Sequence, residues 1–540
     1  MRGVSGKKWV LLSELITPDE LLSNKLGYIK AQLLANRRVD ESILESKLKN
    51  LLPPFHIPNI LEAVNLISDF VRAGKRIVIF GDYDVDGVTG TAILYDLLKR
   101  AGARVLPMLP SRKKGYGLTK DLVRKLNAYA DLLLTVDNGT TAQEELSLCN
   151  IPTIILDHHN PGDSLPKALI VNPKLGNGEF EEFKEISSSG LAFYLATLLR
   201  KELGIDADVR EYLHLACLGT VSDVMPMNLL NRIIVFNGLK LLNHTLRGSF
   251  NAPGIRLLME RSGIKQDVSS RDIAFSIAPR LNAPGRVARP YIAFRLLLEK
   301  DENRAKALVE KIDRLNQYRR QLSQLAFEEA LKQATQQKGS VIVVKLEDWA
   351  GGVAGIVAGR LSSLFSKPVV VLSLGKEYSS ASVRGPEGMD VYLPLKILSH
   401  LFVKWGGHKS AAGFTIKTED IKVFENLAEE VFSKAPILEN NLYIDMPMPT
   451  HQVREDLYNL LRDLEPYGEG FPEPTFLSEP VEMKLMKKEG DRILLRAGNF
   501  YLYCWDARML RRLNFPVRKR VAYQIDRRRS NTLLLVDVEA

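Results

Sequence analysis

The chain is 540 residues long, 45% hydrophobic and 26% charged, which is enough for three or four domains with sizeable cores. Its cysteines, Cys149, Cys217 and Cys504, are far apart, so we expect neither a disulfide framework nor a zinc knuckle, and a reducing cytoplasm as the compartment. No signal peptide or bilayer-spanning apolar run is evident, so we expect no membrane contact. The formal net charge of +10 suits a polyanionic partner, although many soluble proteins are mildly basic.

The residue pattern predicts five regions along the chain. Residues 1–45 are partly helical and polar. Residues 46–230 alternate apolar strands with helices, which predicts an α/β domain with a parallel sheet. Residues 231–335 are mainly helical and form a connector. Residues 336–440 predict a second, smaller α/β domain, and the short strands and turns of 441–540 predict a small β-barrel.

Acidic residues and histidines follow the predicted strands of the first α/β domain. Strand 76–80 precedes Asp82-Tyr83-Asp84-Val85-Asp86-Gly87 and a helix from Val88 to Arg100, strand 131–136 precedes Asp137-Asn138-Gly139, and strand 151–156 precedes Asp157-His158-His159. Asp223 follows a helical run, 209–218. Ligands bind beyond the carboxyl ends of parallel strands, so we expect these groups to converge. Carboxylates with one or two imidazoles suit Mn²⁺ or Mg²⁺, and two such ions can clamp the oxygens of a phosphoryl displacement.

Two other interpretations of the acidic loop fail. A calcium-binding EF-hand needs a bidentate Glu at the twelfth loop position, where this chain has Ile93, and a helix instead of a strand before the loop. The nucleophile loop of haloacid-dehalogenase-type phosphatases has Thr directly after the glycine, whereas Val88 intervenes here. That second interpretation also leaves the histidine pair without a role. Each motif alone has an ordinary turn or helix-end explanation, and only the set favours a metal site.

The ordered motifs resemble the DHH phosphoesterase superfamily, whose signature stands here as Asp157-His158-His159. Three further segments resemble parts of its single-strand-specific exonucleases: Ile277–Arg286, the glycine-rich Gly406–Phe414 of the DHH-associated domain, and Leu464–Pro474 at the entry to an oligonucleotide-binding domain. The resemblance covers nearly all of the chain beyond the first forty or so residues. It implies the fold class that the pattern suggests: a parallel-sheet catalytic domain, a helical connector, a smaller α/β domain and a C-terminal β-barrel.

The resemblance also implies a ligand set for two divalent ions, Mn²⁺ or Mg²⁺. The ligands carried over are Asp84, Asp86, Asp137, His158 and Asp223. Asp82 is a further candidate, because some relatives carry His at the position of Phe80 and Asp82 can serve instead. His159 would sit beside the scissile phosphate as an electrostatic stabiliser or proton donor.

A second set of residues is implied to bind DNA. Its members are Arg280, Asn282, Arg286, Arg360, Ser382, Arg384, Gly407 and His408. Arg280 and the loop around His408 would grip backbone phosphates near the scissile bond. For the glycines of 351–359, tight helix packing is as good an explanation as phosphate binding.

The C-terminal stretch interleaves cations with aromatic residues, as single-strand binding requires. The cations are Arg508, Arg511, Arg512, Arg518, Lys519, Arg520, Arg527, Arg528 and Arg529, and the aromatic residues are Tyr501, Tyr503, Trp505 and Tyr523. The alternative is a β domain in which the aromatic residues are core and the arginines are solvated. Both can hold, because strand residues alternate faces.

The resemblance implies a single-stranded-DNA-specific 5′-to-3′ exonuclease that releases mononucleotides and acts in repair and recombination. We expect a monomer that meets single-stranded DNA and replication or repair proteins, such as a single-strand-binding protein or a helicase. One alternative is a phosphodiesterase for short oligonucleotides or cyclic dinucleotides, whose chains typically lack the Ile277–Arg286 segment and the β domain. Another is a non-catalytic replication-associated protein, whose chains lose the acidic ligands that all stand here.

Overall fold

The computed structural model describes residues 1–110, 117–176, 180–386, 388–435, 440–490, 492–505, 507–511, 513–527, 529 and 531–540. The chain divides into two compact units. The smaller unit combines residues 1–46, 226–232 and 439–540, and the larger holds 47–225 and 233–438. No helix in these described ranges combines the length and the apolar sequence that crossing a bilayer needs.

The N-terminal segment is not only helical, as its polar pattern predicts, but begins with a strand. Its elements are β1 (Lys8–Leu11), α1 (Glu20–Leu26) and α2 (Tyr28–Asn36). Gly27 separates the two helices with φ of +82°, a conformation that glycine adopts without steric cost. Within its own segment the strand forms an isolated bridge between Lys8 and Arg2, and along its length it pairs with a strand more than 400 residues away, which local sequence cannot reveal.

The first α/β domain is built on a five-stranded parallel sheet. Its strands are β2 (Arg76–Gly81), β3 (Arg104–Met108), β4 (Leu132–Val136), β5 (Thr153–Leu156) and β6 (Leu169–Val171). Its helices are α3 (Ile60–Arg72), α4 (Val85–Arg100), α5 (Lys120–Tyr129), α6 (Gln143–Leu146), α7 (Ser188–Glu202) and α8 (Leu213–Ser222). The sheet order is β3-β2-β4-β5-β6, so the direction of winding reverses between β2 and β4. Such doubly wound sheets bind ligands at that switch point.

Helices occupy the region between the two α/β domains. They are α9 (Leu229–Leu246), α10 (Pro253–Arg261), α11 (Ser270–Asp272), α12 (Ala278–Val287), α13 (Tyr291–Leu298) and α14 (Glu302–Ala334). The long charged stretch from Glu299 to Gln337, whose pattern predicts one or two helices, contains one helix of 33 residues, α14. It is capped by Asp301 and spans about 50 Å at the usual rise per residue. Helix α12 packs along α14.

The second α/β domain has a mixed sheet of order β10-β11-β9-β8-β7. Its elements are β7 (Ile342–Glu347), α15 (Ala354–Phe365), β8 (Val369–Leu374), β9 (Tyr378–Arg384), α16 (Tyr392–Ile397), β10 (Phe402–His408), β11 (Ala411–Lys417) and α17 (Ile421–Ser433). Strands β7 and β8 are parallel and the other pairs antiparallel. Separate apolar cores form on its two faces, one under α15 and one under α17.

The C-terminal region is rich in strands, which with the two α/β domains confirms the predicted fold class. Its elements are β12 (Asn441–Ile444), β13 (Met446–Pro447), α18 (Glu455–Asp463), β14 (Phe476–Leu477), β15 (Val481–Glu489), β16 (Arg492–Ala497), β17 (Phe500–Cys504), β18 (Val517–Lys519), β19 (Val521–Ile525) and β20 (Thr532–Val538). Strands β13 to β20 form one curled sheet of order β13-β14-β19-β20-β17-β16-β15-β18, while β12 pairs in parallel with β1. The sequence also predicts a turn at Glu489-Gly490-Asp491, of which Asp491 lies outside the described residues.

Arg232 is the largest fully buried side chain of the smaller unit, and its removal tests how that unit is held together. Its guanidinium donates hydrogen bonds to the carbonyls of Pro466, Leu464 and Glu465, each at 2.7 Å. Arg232→Met would leave these acceptors unpaired, so we expect a loss of about 3 kcal/mol or more in the free energy of unfolding. Urea denaturation followed by tryptophan fluorescence measures it. Arg247→Met, at an exposed site, should cost less than about 0.5 kcal/mol.

Candidate metal centre

The acidic loop after β2 begins helix α4 earlier than its sequence predicts. Asp84 has extended backbone geometry and its carboxylate accepts the N–H of Gly87 at 3.1 Å, so it caps a helix that starts at Val85 and not at Val88. Asp86 therefore lies in the first helical turn and is buried. A side chain at Gly87 would collide with the backbone of Asp82, which explains the glycine.

The carboxylate of Asp86 points at the start of another helix. It accepts the backbone N–H groups of Ser188 (2.7 Å) and Ser189 (3.0 Å) at the N-terminus of α7. Helix N-termini stabilise negative charge, which helps to keep this carboxylate ionised. Burial, with the charge of Asp84, nevertheless raises the pKa of Asp86 to about 6.

Asp137 lies at the end of β4 in the left-handed region, with φ of +65°. The side-chain amide of Asn138 donates to the carbonyl of Val136 at 2.9 Å and so helps to hold this turn. The hydroxyl of Ser188 donates to Asp137 at 3.1 Å. Burial and the charges of neighbouring carboxylates raise the pKa of Asp137 well above its usual value. A buried carboxylate among like charges needs a cation to stay ionised.

Asp157 orients the histidine pair. One of its oxygens accepts the backbone N–H groups of His158 (2.8 Å) and His159 (3.2 Å) and lies 2.7 Å from His159 Nδ1. The positive charge of His159, with its hydrogen bond to the carboxylate, holds the pKa of Asp157 well below its usual range despite burial. The charge of Asp157 outweighs burial and raises the pKa of His159 to about 9.

His158 differs from its neighbour in being fully buried and neutral. Burial, with the positive charge of His159, lowers the pKa of His158 well below its usual value. Its Nε2 lies 3.4 Å from Asp137 Oδ1 and 3.3 Å from Asp223 Oδ2. Within the described parts of the chain, neither ring nitrogen has a hydrogen-bond partner. A neutral imidazole with a free nitrogen among carboxylates has the chemistry of a metal ligand.

The structure brings all the predicted ligands together. Three overlapping groups each place one donor atom per residue within 4.8 Å of the others: Asp82, Asp84 and Asp137; Asp86, His158 and Asp223; Asp137, His158 and His159. The donors are mostly carboxylate oxygens with some imidazole nitrogen, a set that suits Mn²⁺ or Mg²⁺.

Helix α12 closes one side of this centre. Asn282 accepts the N–H of Val85 at 3.1 Å, and a side chain at Gly285 would collide with the carbonyl oxygen of Tyr83. Arg280, by contrast, turns to α14 and pairs with Asp313 at 3.2 Å. Asn282 thus supports the acidic loop, and the predicted phosphate contact of Arg280 stays a prediction.

The other predicted DNA-binding residues lie on the second α/β domain or against it. Arg286 Nη1 donates to the carbonyl of Gly352 at 3.4 Å. Arg360 stacks on Phe327, 3.7 Å from its ring centre. Both residues therefore have packing roles, and their DNA contacts stay predictions.

Ser382 and Arg384 lie on β9 beside the start of α15. A side chain at Gly355 would come within 3.0 Å of Arg384 Nη2 and 3.6 Å of Ser382 Oγ. The absence of a side chain there leaves both groups facing a helix N-terminus, an arrangement that favours anions.

His408 brings the glycine-rich hairpin of the second domain to the histidine pair. Its ring stacks on His159, with centroids 5.7 Å apart and planes inclined by 20°. Gly407 has φ of +151° and lies so close to Ala411 and Ala412 that a side chain would clash. Desolvation and the charge of His159 lower the pKa of His408 to about 4.

Sequence reasoning missed the residues that hold the ligands in place. Ser188 and Ser189, at the start of α7, donate backbone hydrogen bonds to Asp86. Asp157 orients the histidine pair through backbone N–H groups and the ring of His159. Lys174, which follows β6 and is largely buried, has its pKa lowered by burial against the opposing charges of Glu185, Asp157 and Asp223. The sequence offers two signals for these residues: the serine run 187–189 before a helical pattern, and the Lys after the end of a strand.

In the C-terminal region, the two interpretations of the aromatic residues each hold for some of them. Tyr501 and Trp505 are exposed, by 40% and 53%, and Arg492 lies over the Trp505 ring. Tyr523 is core, and Arg527 is paired with Glu465 and Glu473. Arg512, Arg528 and the side chain of Arg508 lie outside the described residues.

The switch-point cluster and the paired histidines define a DHH-type phosphoesterase. The family model for the DHH family, N-terminal domain, matches residues 76–220, and that for the DHHA1 domain matches 338–434. A third, for the RecJ OB domain, matches 444–526.

Comparison with whole proteins is more specific. Single-stranded-DNA-specific exonuclease RecJ of Escherichia coli is 32% identical over 488 residues, 84% of each chain. The Thermus thermophilus protein of the same name is 34% identical over 462 residues, 84% of this chain and 66% of its own. The crystal structure of RecJ from that organism with Mn²⁺ has a TM-score of 0.84 at 30% identity, covering 99% of this chain and 79% of its own. The chain belongs to the RecJ family.

Asp157→Asn should separate the orienting role of this residue from metal binding. Loss of the negative charge removes the largest contribution that stabilises the imidazolium, so in metal-free protein the pKa of His159 should fall from about 9 towards its ordinary value. The interaction of His159 with Asp157 contributes fully to folding stability below pH about 6.5, and this contribution is lost as pH rises through about 9. NMR titration of the imidazoles measures the change, with the exposed His244 as internal control. An unchanged pKa for His159 would contradict the assignment.

Proposed function

We propose that this protein is a single-stranded-DNA-specific exonuclease that hydrolyses phosphodiester bonds with two divalent ions, Mn²⁺ or Mg²⁺. The observation that carries the proposal is the convergence of five carboxylates and one neutral imidazole at the sheet's switch point. The relatives that carry the name of single-stranded-DNA-specific exonuclease support the substrate. The Thermus thermophilus structures with Mn²⁺ and with Mg²⁺ support the metals.

The donor set supports two ion positions. Asp82, Asp84 and Asp137 would hold one ion, and Asp86, His158 and Asp223 the other, with Asp137 close to both because its Oδ1 lies 3.4 Å from His158 Nε2. The unpartnered nitrogens of His158 and the raised pKa values of Asp137 and Asp223 fit groups that await cations. When bound, the ions supply a hydroxide nucleophile at neutral pH and neutralise charge that builds on the phosphate.

The histidines supply charge and a proton beside the ions. With its pKa near 9, His159 is a cation at pH 7 and can stabilise the phosphate or protonate the departing oxygen. The stacked His408, with its pKa near 4, is neutral and can donate a hydrogen bond without repelling His159. Asp157 holds His159 in the orientation that both roles need.

The proposal also covers the direction of hydrolysis, the binding of the strand, the compartment and the protein partners. The anion-favouring start of α15, with Ser382 and Arg384, supports binding of a strand's phosphates next to the metal centre. The 5′-to-3′ direction and mononucleotide products follow from the family resemblance. We also propose a monomer that meets a single-strand-binding protein or a helicase during repair and recombination. The free thiols of the three cysteines fit a reducing cytoplasm.

Asp137→Ala tests the proposal directly. A ligand near both ions is lost, so hydrolysis of 5′-labelled single-stranded DNA in Mn²⁺ should fall on the order of 10³-fold. Asp131→Ala is the matched control, since Asp131 lies directly before the same strand and, in the part of the chain that the structure describes, pairs with surface Arg76. Near-normal turnover of the Asp137 variant would refute the metal assignment.

The same proteins distinguish the alternatives. Mn²⁺ should raise the melting temperature of the wild type, because it relieves repulsion among carboxylates, and should raise that of Asp137→Ala much less. Single strands of about twenty nucleotides should be cleaved stepwise, and duplex DNA should not. Cleavage confined to dinucleotides would favour the small-substrate phosphodiesterase, and binding without cleavage would favour a non-catalytic protein.

A further inference from the structure

The inward face of α14 changes character halfway along the helix. It is apolar near the start, at Ala305, Val309 and Ile312, and again towards the end, from Ala326 to Ala334. Between these stretches the positions at helical spacing are polar: Asp313, Asn316, Arg319 and Ser323. A polar interval in a packed helix face is costly unless partners satisfy it, so its role needs an explanation.

Asp313 is the centre of this interval. It is 5% exposed, and Arg280 Nε on α12 donates to its Oδ1 at 3.2 Å. Arg261 Nε donates to its other oxygen at 2.9 Å, and Gln317 donates to the same oxygen at 3.2 Å. Both oxygens of the carboxylate are thus engaged, and Oδ1 fixes Arg280 through its Nε.

Part of the Arg280 guanidinium remains available. Nη1 donates to the carbonyl of Ser276 at 2.9 Å, while Nη2 has no hydrogen-bond partner among the residues that the structure describes. The side chain is 13% exposed. A guanidinium fixed at one edge presents its remaining N–H groups in a defined plane, the geometry in which arginine binds phosphate.

Arg319 adds a second cation with unused donors. Its Nη2 donates to Asn316 at 2.7 Å, but its buried Nε has no partner in the described part of the chain, and neither has the hydroxyl of buried Ser323. Burial, with the charges of Arg320 and Arg280, lowers the pKa of Arg319. Cations exceed the single carboxylate of this interval, and donors exceed acceptors.

We propose that Asp313 is a positioning residue that holds Arg280 beside Arg319, so that the two arginines bind a backbone phosphate of single-stranded DNA. The inference rests on the proposed function for its choice of polyanion. A phosphodiester supplies both missing features, negative charge and several acceptor oxygens, without information from the bases.

The test compares four variants with the wild type. Asp313→Asn keeps the shape but removes the charge that fixes Arg280, Arg280→Gln and Arg319→Gln each remove one cation, and Asp313→Asn/Arg280→Gln combines two changes. Arg247→Gln is the control, since it removes an exposed arginine of the same helical region. Circular dichroism establishes that each variant folds, and Arg319→Gln, partly exposed, carries the test if Asp313→Asn does not.

Affinity is measured by fluorescence anisotropy with a labelled oligothymidylate in EDTA, at several salt concentrations, so no hydrolysis is needed. We expect each single variant to bind about fivefold to tenfold more weakly, and the control as the wild type. Each lost phosphate contact should reduce the slope of log Kd against log salt by about 0.7. The double variant should bind no more weakly than Arg280→Gln, because Asp313 acts through Arg280.

Two results would overturn the inference: a double variant whose loss is the product of the two single losses, or an Arg319→Gln protein with unchanged affinity and salt slope. The outcome is separate from the fate of the proposed function. If binding depends on these residues but the protein does not hydrolyse DNA in Mn²⁺, the exonuclease proposal is refuted and the phosphate subsite is retained. If all variants hydrolyse DNA and bind it with wild-type affinity, the phosphate subsite is refuted and the exonuclease proposal is retained.

Discussion

Crowding of buried carboxylates around one point is the constraint on which the larger unit depends. Asp82, Asp86 and Asp137 are almost completely buried, and neighbouring carboxylates in their ionised form raise the pKa of both Asp86 and Asp137. Folding offsets part of this cost with the N-terminus of α7, the hydroxyl of Ser188 and a protonated His159. The remainder is left to cations, so the same repulsion that opposes folding makes the site bind divalent metals.

Close backbone approach lets distant segments share this centre. Glycine at 285 admits α12 against the acidic loop, and glycine at 352 admits the carbonyl of Arg286 at the end of the same helix. Helix α12 therefore touches the acidic loop at one point and the second α/β domain at another. The stacking of His408 on His159 makes a further connection between the two domains of this unit. Packing thus places His408 of the second domain, a proposed substrate-binding residue, beside His159.

Much of the site could be predicted because strand ends in a parallel sheet share an edge. Asp82, Asp137 and His158 follow three such strands, and their order along the chain sufficed to place them together. The sequence predicts Asp86 as a ligand, but the contacts that hold Asp86 and Asp157 in place could not be predicted, since Asp86 is fixed by Ser188, 102 residues away, and Asp157 by its own backbone neighbours. The local sequence pattern also did not predict that α4 begins at Val85, because that start is set by one side chain, the capping carboxylate of Asp84.

The smaller unit joins the two ends of the chain. Trp9 donates to Asp537 across 528 residues, and β1 pairs with β12. During synthesis, at roughly 5–20 residues per second, the first strand must therefore wait on the order of half a minute for its partner. Until then its apolar side and unpaired edge are open to chaperones or to wrong neighbours. Disruption of either the N-terminal segment or the β domain would therefore damage the same folded body.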